Sequence, residues 1–214
     1  MGIIERKERE KEQRRRDIIR AAEKVFLTKG FDRSTMDDVA EEAELSKGTL
    51  YLYFKSKVEI HWAITEKGMS ALYDLMTERI SPDRTGLENL LELGEVFYRF
   101  SEEQPVYFNS MLFFEAKDLE KLELGEVVLE NWFQGSPIEK LYEVVESGMK
   151  DGSVRSDLPV SAVANTLWAQ MLGVLQVIRN KREVFEMLNI SPVELVQCHY
   201  ELLRNGVKNK ELSS

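Results

Sequence analysis

The sequence predicts an all-α chain of about nine or ten helices, and three observations carry that prediction. Apolar residues recur at helical spacing along most of the 214 residues. No segment sustains a period-2 alternation, and β-branched residues do not cluster. All five prolines (Pro82, Pro105, Pro137, Pro159 and Pro192) fall between the apolar-periodic runs, as residues at helix starts do.

The elements follow in order. Residues 5–29 open with a charged run, ERKEREKEQRRR, in which Glu5 with Arg9 and Glu12 with Arg16 are i,i+4 pairs worth about 0.2–0.5 kcal/mol each. Ile18, Ile19, Ala22, Val25 and Phe26 then form one apolar face. Lys29-Gly30 supplies a cation and a φ-permissive residue as a stop signal. Ser34-Thr35 can cap a second helix whose stripe is Met36, Val39, Ala40 and Ala43, with Asp37 and Asp38 at its positive end. Ser46 can cap a very short third helix through about Leu52. Ser56-Lys57-Val58-Glu59 is a capping box that opens a long helix to about Ile80. Further helices are expected near 84–103, 105–119, 121–134, 137–150, 159–181 and 192–207. Ser136-Pro137-Ile138-Glu139 and Ser191-Pro192-Val193-Glu194 mark two of these starts, each with a capping Ser.

Composition narrows the function classes. One cysteine, Cys198, cannot make an internal disulfide, which suits a reducing, cytoplasmic setting. With only two histidines, His61 and His199, far apart in sequence, no structural zinc site is expected. The start lacks the apolar run of a signal peptide, and no apolar stretch reads as the roughly 20 residues of a membrane helix. The formal charge of −9 is unevenly placed. Residues 1–60 hold 14 Lys+Arg and 13 Asp+Glu, so the acidity lies downstream. A near-neutral N-terminal quarter joined to an acidic body suggests two parts with different tasks, although a merely solvated surface accounts for the same numbers.

Three helices within about 55 residues, the last two short and joined by a tight turn, have the layout of a helix-turn-helix. Small polar residues and Gly48 at 46–49 let a helix N-terminus approach a phosphate or base edge closely. Leu50 and Phe54 are an i,i+4 pair placed to dock that helix onto Val39 and Phe26. These residues carry a resemblance. Phe26, Gly30, Phe31, Thr35, Val39-Ala40, Ala43, Ser46, Gly48, Tyr51, Tyr53-Phe54 and Lys57, within Ile18 to Ile64, are similar to the DNA-binding domain of the TetR family of bacterial transcriptional regulators. The resemblance implies a helix-turn-helix domain at 1–56 and a helical effector-binding and dimerisation domain at 57–214. It also implies a homodimer on a palindromic double-stranded DNA operator, with a small-molecule effector, and no enzyme activity or cofactor. Phosphate contact is expected from Thr35, Tyr51, Tyr53 and Lys57, and groove contact from Ser46, Lys47, Gly48 and Thr49. Tyr53 serves equally well as core, Ser46 as a cap alone, and Arg14, Arg15 and Arg16 as either phosphate grip or solvated face. Glu44 stands in the turn where the family often has Gly; if that turn needs φ > 0, the residue bears strain of order 1 kcal/mol.

The remaining residues hold no Walker-type loop, dinucleotide fingerprint, metalloprotease histidine pair or nucleophile elbow. Phe97, Phe100, Phe108, Met111, Phe114, Trp132, Trp168 and Met171 are the candidate lining of an apolar effector cavity, though each taken singly is ordinary core. Asn109, Glu115, Asn165 and Gln170 are candidate polar anchors. The 161–178 segment is apolar almost all round, so Leu167, Leu172 and Leu175, with Val196 and Leu203 from the last helix, are the candidate dimer interface. The expected protein is a repressor released by a largely apolar ligand. A helical enzyme or interaction module that happens to contain a similar bundle is the rival, and it predicts no salt-dependent DNA affinity.

Overall fold

The computed structural model describes residues 2–115 and 133–209, and among them it is all-α, with ten helices and no strand. The helices are α1 Ile3–Lys29, α2 Met36–Glu42, α3 Lys47–Tyr51, α4 Lys57–Arg79 and α5 Gly86–Glu103. They continue with α6 Pro105–Glu115, α7 Pro137–Asp151, α8 Val160–Asn180, α9 Arg182–Met187 and α10 Pro192–Val207. The helix expected over 121–134 and the candidate residue Trp132 lie outside the described residues except for Phe133 and Gln134, which form a bend and turn rather than helix. The short α9 is not signalled by the sequence, because none of its side chains is buried and it leaves no apolar stripe.

Punctuation chemistry sets the ends. Gly30 takes φ 77 after α1, the left-handed conformation its place demands. Thr35 and Asp38 close a reciprocal capping box on α2, and Thr85 with Glu88 does the same on α5, slightly later than the sequence suggests. Pro137 and Pro192 open their helices as expected, but only Ser136 caps with its side chain; Ser191 makes no such bond.

The chain divides into two compact units, Met1–Gly68 with Val106–Glu126, and Met69–Pro105 with Val127–Ser214. In the first, Ile18, Ala22, Val25 and Phe26 of α1, Val39 and Ala40 of α2, Leu50 and Phe54, and Ile60 and Ile64 of α4 form one buried cluster. The apolar stripes read from the sequence therefore meet as expected. Tyr107 of α6 joins this unit: its hydroxyl donates to Glu23 Oε1 at 3.0 Å, and Lys67 Nζ reaches the same oxygen at 2.7 Å. In the second unit, α5 packs on α7, and α8 packs against α5, α7 and α10. Gly86 and Gly148 let α5 and α7 touch, since a Cβ on Gly86 would lie 2.1 Å from the Gly148 Cα.

Contrary to the sequence expectation, Val160–Asn180 is long and apolar enough, by length and composition, to cross a membrane. Here Val163, Ala164, Leu167, Met171 and Ile178 face inward and Ala162, Ala169 and Gly173 outward, the pattern of an amphipathic core helix with a small-residue outer face.

Candidate nucleic-acid interface

The 34–57 segment is shaped by local hydrogen bonds. The Asp38 backbone N–H donates to Thr35 Oγ1 at 3.1 Å, which leaves the Thr35 hydroxyl proton free on an exposed residue. Asp38 is held by Lys29 Nζ at 2.6 Å, and that bond, with the Thr35 backbone N–H, keeps its carboxyl below the usual range. After α2 the chain reverses through Glu44 at φ 54, while Leu45 N donates to Ala40 O at 2.8 Å. The tight turn does require the left-handed region, so Glu44 carries the backbone strain the family's Gly avoids.

That turn delivers α3. Ser46 caps it, accepting the Thr49 N–H at 3.1 Å and meeting the Thr49 hydroxyl at 2.8 Å. Leu50 and Phe54 are fully buried and lock the helix to the cluster, so Ser46, Lys47, Gly48 and Tyr51 stand exposed and Thr49 half-exposed. A Cβ on Gly48 would meet nothing closer than Ser46 Oγ at 3.9 Å, so packing within the chain does not require a glycine there. Lys47 Nζ is 2.7 Å from Asp37 Oδ1, and this bond raises the lysine's pKa. Its ammonium is thus fully charged and must swing from Asp37 to reach a nucleic acid.

Two of the residues expected to contact phosphate have partners within the chain. Tyr53 is half-buried and packs against the core cluster, so packing takes most of its ring. Lys57 donates to the carbonyls of Phe31 at 2.6 Å and Ser34 at 2.8 Å, and sits 4.3 Å from the Phe31 ring centroid. Its donors clamp the α1–α2 connection to the start of α4, which spacing alone does not disclose. Leu52, 82% exposed beside Tyr51, is a surface residue that spacing does not single out, because it reads as one more apolar position of a short helix. Arg15 lies over the Phe54 ring at 4.9 Å, and with Arg16, Arg20 and Lys67 it lines a basic cleft of about 700 Å³ between α1 and α4.

The expected effector residues divide. Phe97 stacks on Trp168, with centroids 5.0 Å apart, and both line an apolar cavity of about 40 Å³ with Met171. Phe100 is buried in the same unit outside that cavity. Phe108, Met111 and Phe114 are buried in the first unit instead, where Phe114 meets Trp62 edge-on at 5.1 Å. Of the expected anchors, Asn109, Glu115 and Asn165 are exposed, and Gln170 lines a separate recess. Among the expected interface residues, Leu167, Leu172, Leu175 and Val196 are buried within the chain, and Leu203 is half-buried. The faces left open are Ala162, Ala169, Gly173 and Val177 on α8 with Val193 and Leu202 on α10. The large apolar side chains of α8 take the core, and Ala162, Ala169 and Gly173 stand on the exposed side with Asn165, Thr166, Gln170 and Gln176.

Residues 18–64 match the family model described as bacterial regulatory proteins, tetR family. The chain is similar to the uncharacterized HTH-type transcriptional regulator YfiR of Bacillus subtilis, 46% identical over 59 residues, 28% of this chain and 29% of that protein. The chain thus aligns with less than a third of that relative's length. It is also similar to the Bacillus subtilis fatty acid metabolism regulator protein, 23% identical over 194 residues, 90% of this chain and 95% of the relative. Among solved structures, FadR from Bacillus subtilis in complex with stearoyl-CoA shares the fold with a TM-score of 0.69 at 21% identity, covering 89% of this chain and 97% of FadR. Residues 18–64 thus carry the match to the tetR family of bacterial regulatory proteins, and about nine-tenths of the chain shares its all-α fold with solved structures described as tetR-family regulators.

Proposed function

We propose that this chain is a cytoplasmic, ligand-responsive transcriptional regulator, a homodimeric repressor of a palindromic operator that a small, largely apolar effector releases. Residues 1–56 read the DNA, and residues 57–214 bind the effector and dimerise. The observation that carries the reading is the exposed first turn of α3, where Ser46, Lys47 and Gly48 stand clear of a helix anchored by Leu50 and Phe54. Thr35 and Tyr51 flank it as phosphate contacts, and Leu52 is placed to touch sugar or a thymine methyl. Dimerisation uses the open α8–α10 faces. Gly173 sits in mid-helix with open space for 4 Å around the place a Cβ would occupy, at a helical cost of about 1 kcal/mol relative to Ala. That cost is offset if a second copy approaches there closely. The stearoyl-CoA bound by FadR supports an apolar-chain effector for the cavity at Phe97, Trp168 and Met171. A ligand preferring one arrangement of the dimer shifts DNA affinity by its differential affinity for the two.

Selection of bound fragments from a random DNA pool by the full chain tests this. An inverted repeat with salt-dependent affinity is expected, and Lys47→Ala should alter the preferred bases. No enrichment, or enrichment unaffected by Lys47→Ala, would overturn the interface.

A further inference from the structure

Among the described residues of the second unit, two buried polar side-chain atoms have no partner, and they lie on consecutive residues of α10. His199 Nε2 and Tyr200 Oη are shielded from solvent and make no hydrogen bond, although nearly all buried polar atoms of folded proteins are paired. Both side chains line the same cavity, the one between α5, α8 and α10 that includes Phe97, Trp168 and Met171. Its remaining wall is Leu, Met and Gly, with no charged side chain. Leaving two polar atoms unpaired in such a wall costs the empty protein stability, and a ligand that pairs them recovers it.

We propose that this cavity recognises the neutral polar group of an otherwise apolar molecule, a carbonyl or a hydroxyl, through His199 Nε2 and Tyr200 Oη. The inference rests on the effector reading above and names the chemistry of that same site. The cavity is only about 40 Å³; Leu167, His199 and Leu203 also line a neighbouring recess of about 340 Å³, which Ala162 and Leu202 of the open α8–α10 faces border. The recess is within the range of small-molecule sites, and the inner cavity, at roughly 10–15 Å³ per enclosed water, takes a few atoms before its walls move. Met76 and Met171 are the wall residues most able to yield. Tyr200 is set against α5 because position 94 is glycine: a Cβ there would stand 2.8 Å from the Tyr200 ring.

The protonation states agree with a neutral partner. Burial pushes the His199 pKa down, and burial with the charge of Glu95 pushes the Tyr200 hydroxyl up. At neutral pH both therefore present an uncharged donor and acceptor. A carboxylate would find no cation in the wall, and an ammonium would exchange its hydration for methionine and phenylalanine.

The test is calorimetric titration of the full chain with 2-octanone, 1-octanol, octanoate and octylammonium, followed by the same titrations of Tyr200→Phe and His199→Phe. The ketone and alcohol should bind, at least about tenfold more tightly than either ion. Each variant should weaken ketone binding by about tenfold, the effect of one buried hydrogen bond. Tyr200→Phe removes an unpaired hydroxyl, so its Tm should equal or exceed the parent's. Failure of the ketone and alcohol to bind, variants that bind them as tightly as the parent, or a Tm of Tyr200→Phe lowered by several degrees would each overturn the proposal. These measurements contain no DNA. Binding that succeeds without releasing an operator refutes the repressor reading alone, whereas operator release by some other ligand without ketone or alcohol binding refutes this inference alone.

Discussion

Single residues in the first unit carry costs that function or folding must offset. Glu44 takes φ 54 in the turn before α3, where an L residue is disfavoured by about 1–2 kcal/mol and a glycine is not. Glu44→Gly should therefore stabilise the chain by up to about 1 kcal/mol after the glycine's own entropy is counted, raising Tm by about 2–4 °C in a thermal melt. His61 is the second case. Its imidazole is 3% exposed, stacked on Phe31 at 4.2 Å, and its Nδ1 has no partner. Burial first, and Lys57 second, hold its pKa at about 4 against an ordinary 6.5. Above pH 6.5 the imidazole is neutral folded or unfolded, so it does not bias folding. Below 6.5 the unfolded chain takes the proton and the folded chain does not, so stability falls until about pH 4, by an amount on the order of 3 kcal/mol. Melts of His61→Phe between pH 7 and pH 4 should lose correspondingly less stability than the parent, and parallel pH profiles would refute the assignment.

At the scale of elements, the α5–α7 crossing shows how little room the second unit leaves. A Cβ at Gly86 would sit 2.1 Å from the Gly148 Cα, and one at Gly148 would sit 2.5 Å from Val154 Cγ2. These contacts are with backbone and a buried β-branched side chain, which cannot swing away. Gly86→Ala should cost about 3 kcal/mol and lower Tm by roughly 5–10 °C, read by calorimetry. Gly173→Ala, at an open helical position, should have no such cost. The contrast separates glycines required by packing inside the chain from one whose smallness acts outside it.

For the whole molecule, the uneven charge and the open α8–α10 faces point the same way as the proposed function. An acidic body repels phosphate, so a near-neutral N-terminal quarter with exposed Lys47 and a basic α1–α4 cleft is where a DNA duplex is tolerated. Sedimentation equilibrium at micromolar concentration should give about twice the 24.8 kDa chain mass. Gly173→Arg should reduce that to one chain mass and weaken binding to the inverted repeat, with helicity unchanged because the site is open within one chain. A dimer that survives this substitution would move the interface elsewhere.

Much of the structure is legible in the sequence because short-range chemistry writes it. Capping residues, prolines and 3.6-residue stripes mark the helices, and Leu50 with Phe54 marks the anchor that leaves Ser46, Lys47 and Gly48 exposed. Spacing could not show that the Lys57 amine folds back on the Phe31 and Ser34 carbonyls, since its partners lie 26 and 23 residues away. Nor did spacing separate the leucines of α8 that pack inside the chain from the small residues left exposed beside its polar positions, because both classes are apolar. The sequence by itself determined the all-α class and the helix marks of the helix-turn-helix, because the caps, prolines and stripes that write them lie within one or two turns of one another. The tertiary structure alone decided which aromatics share a cavity, which leucines are core, and that His199 and Tyr200 face an apolar space unpaired, because those facts are set by side chains that only folding brings together.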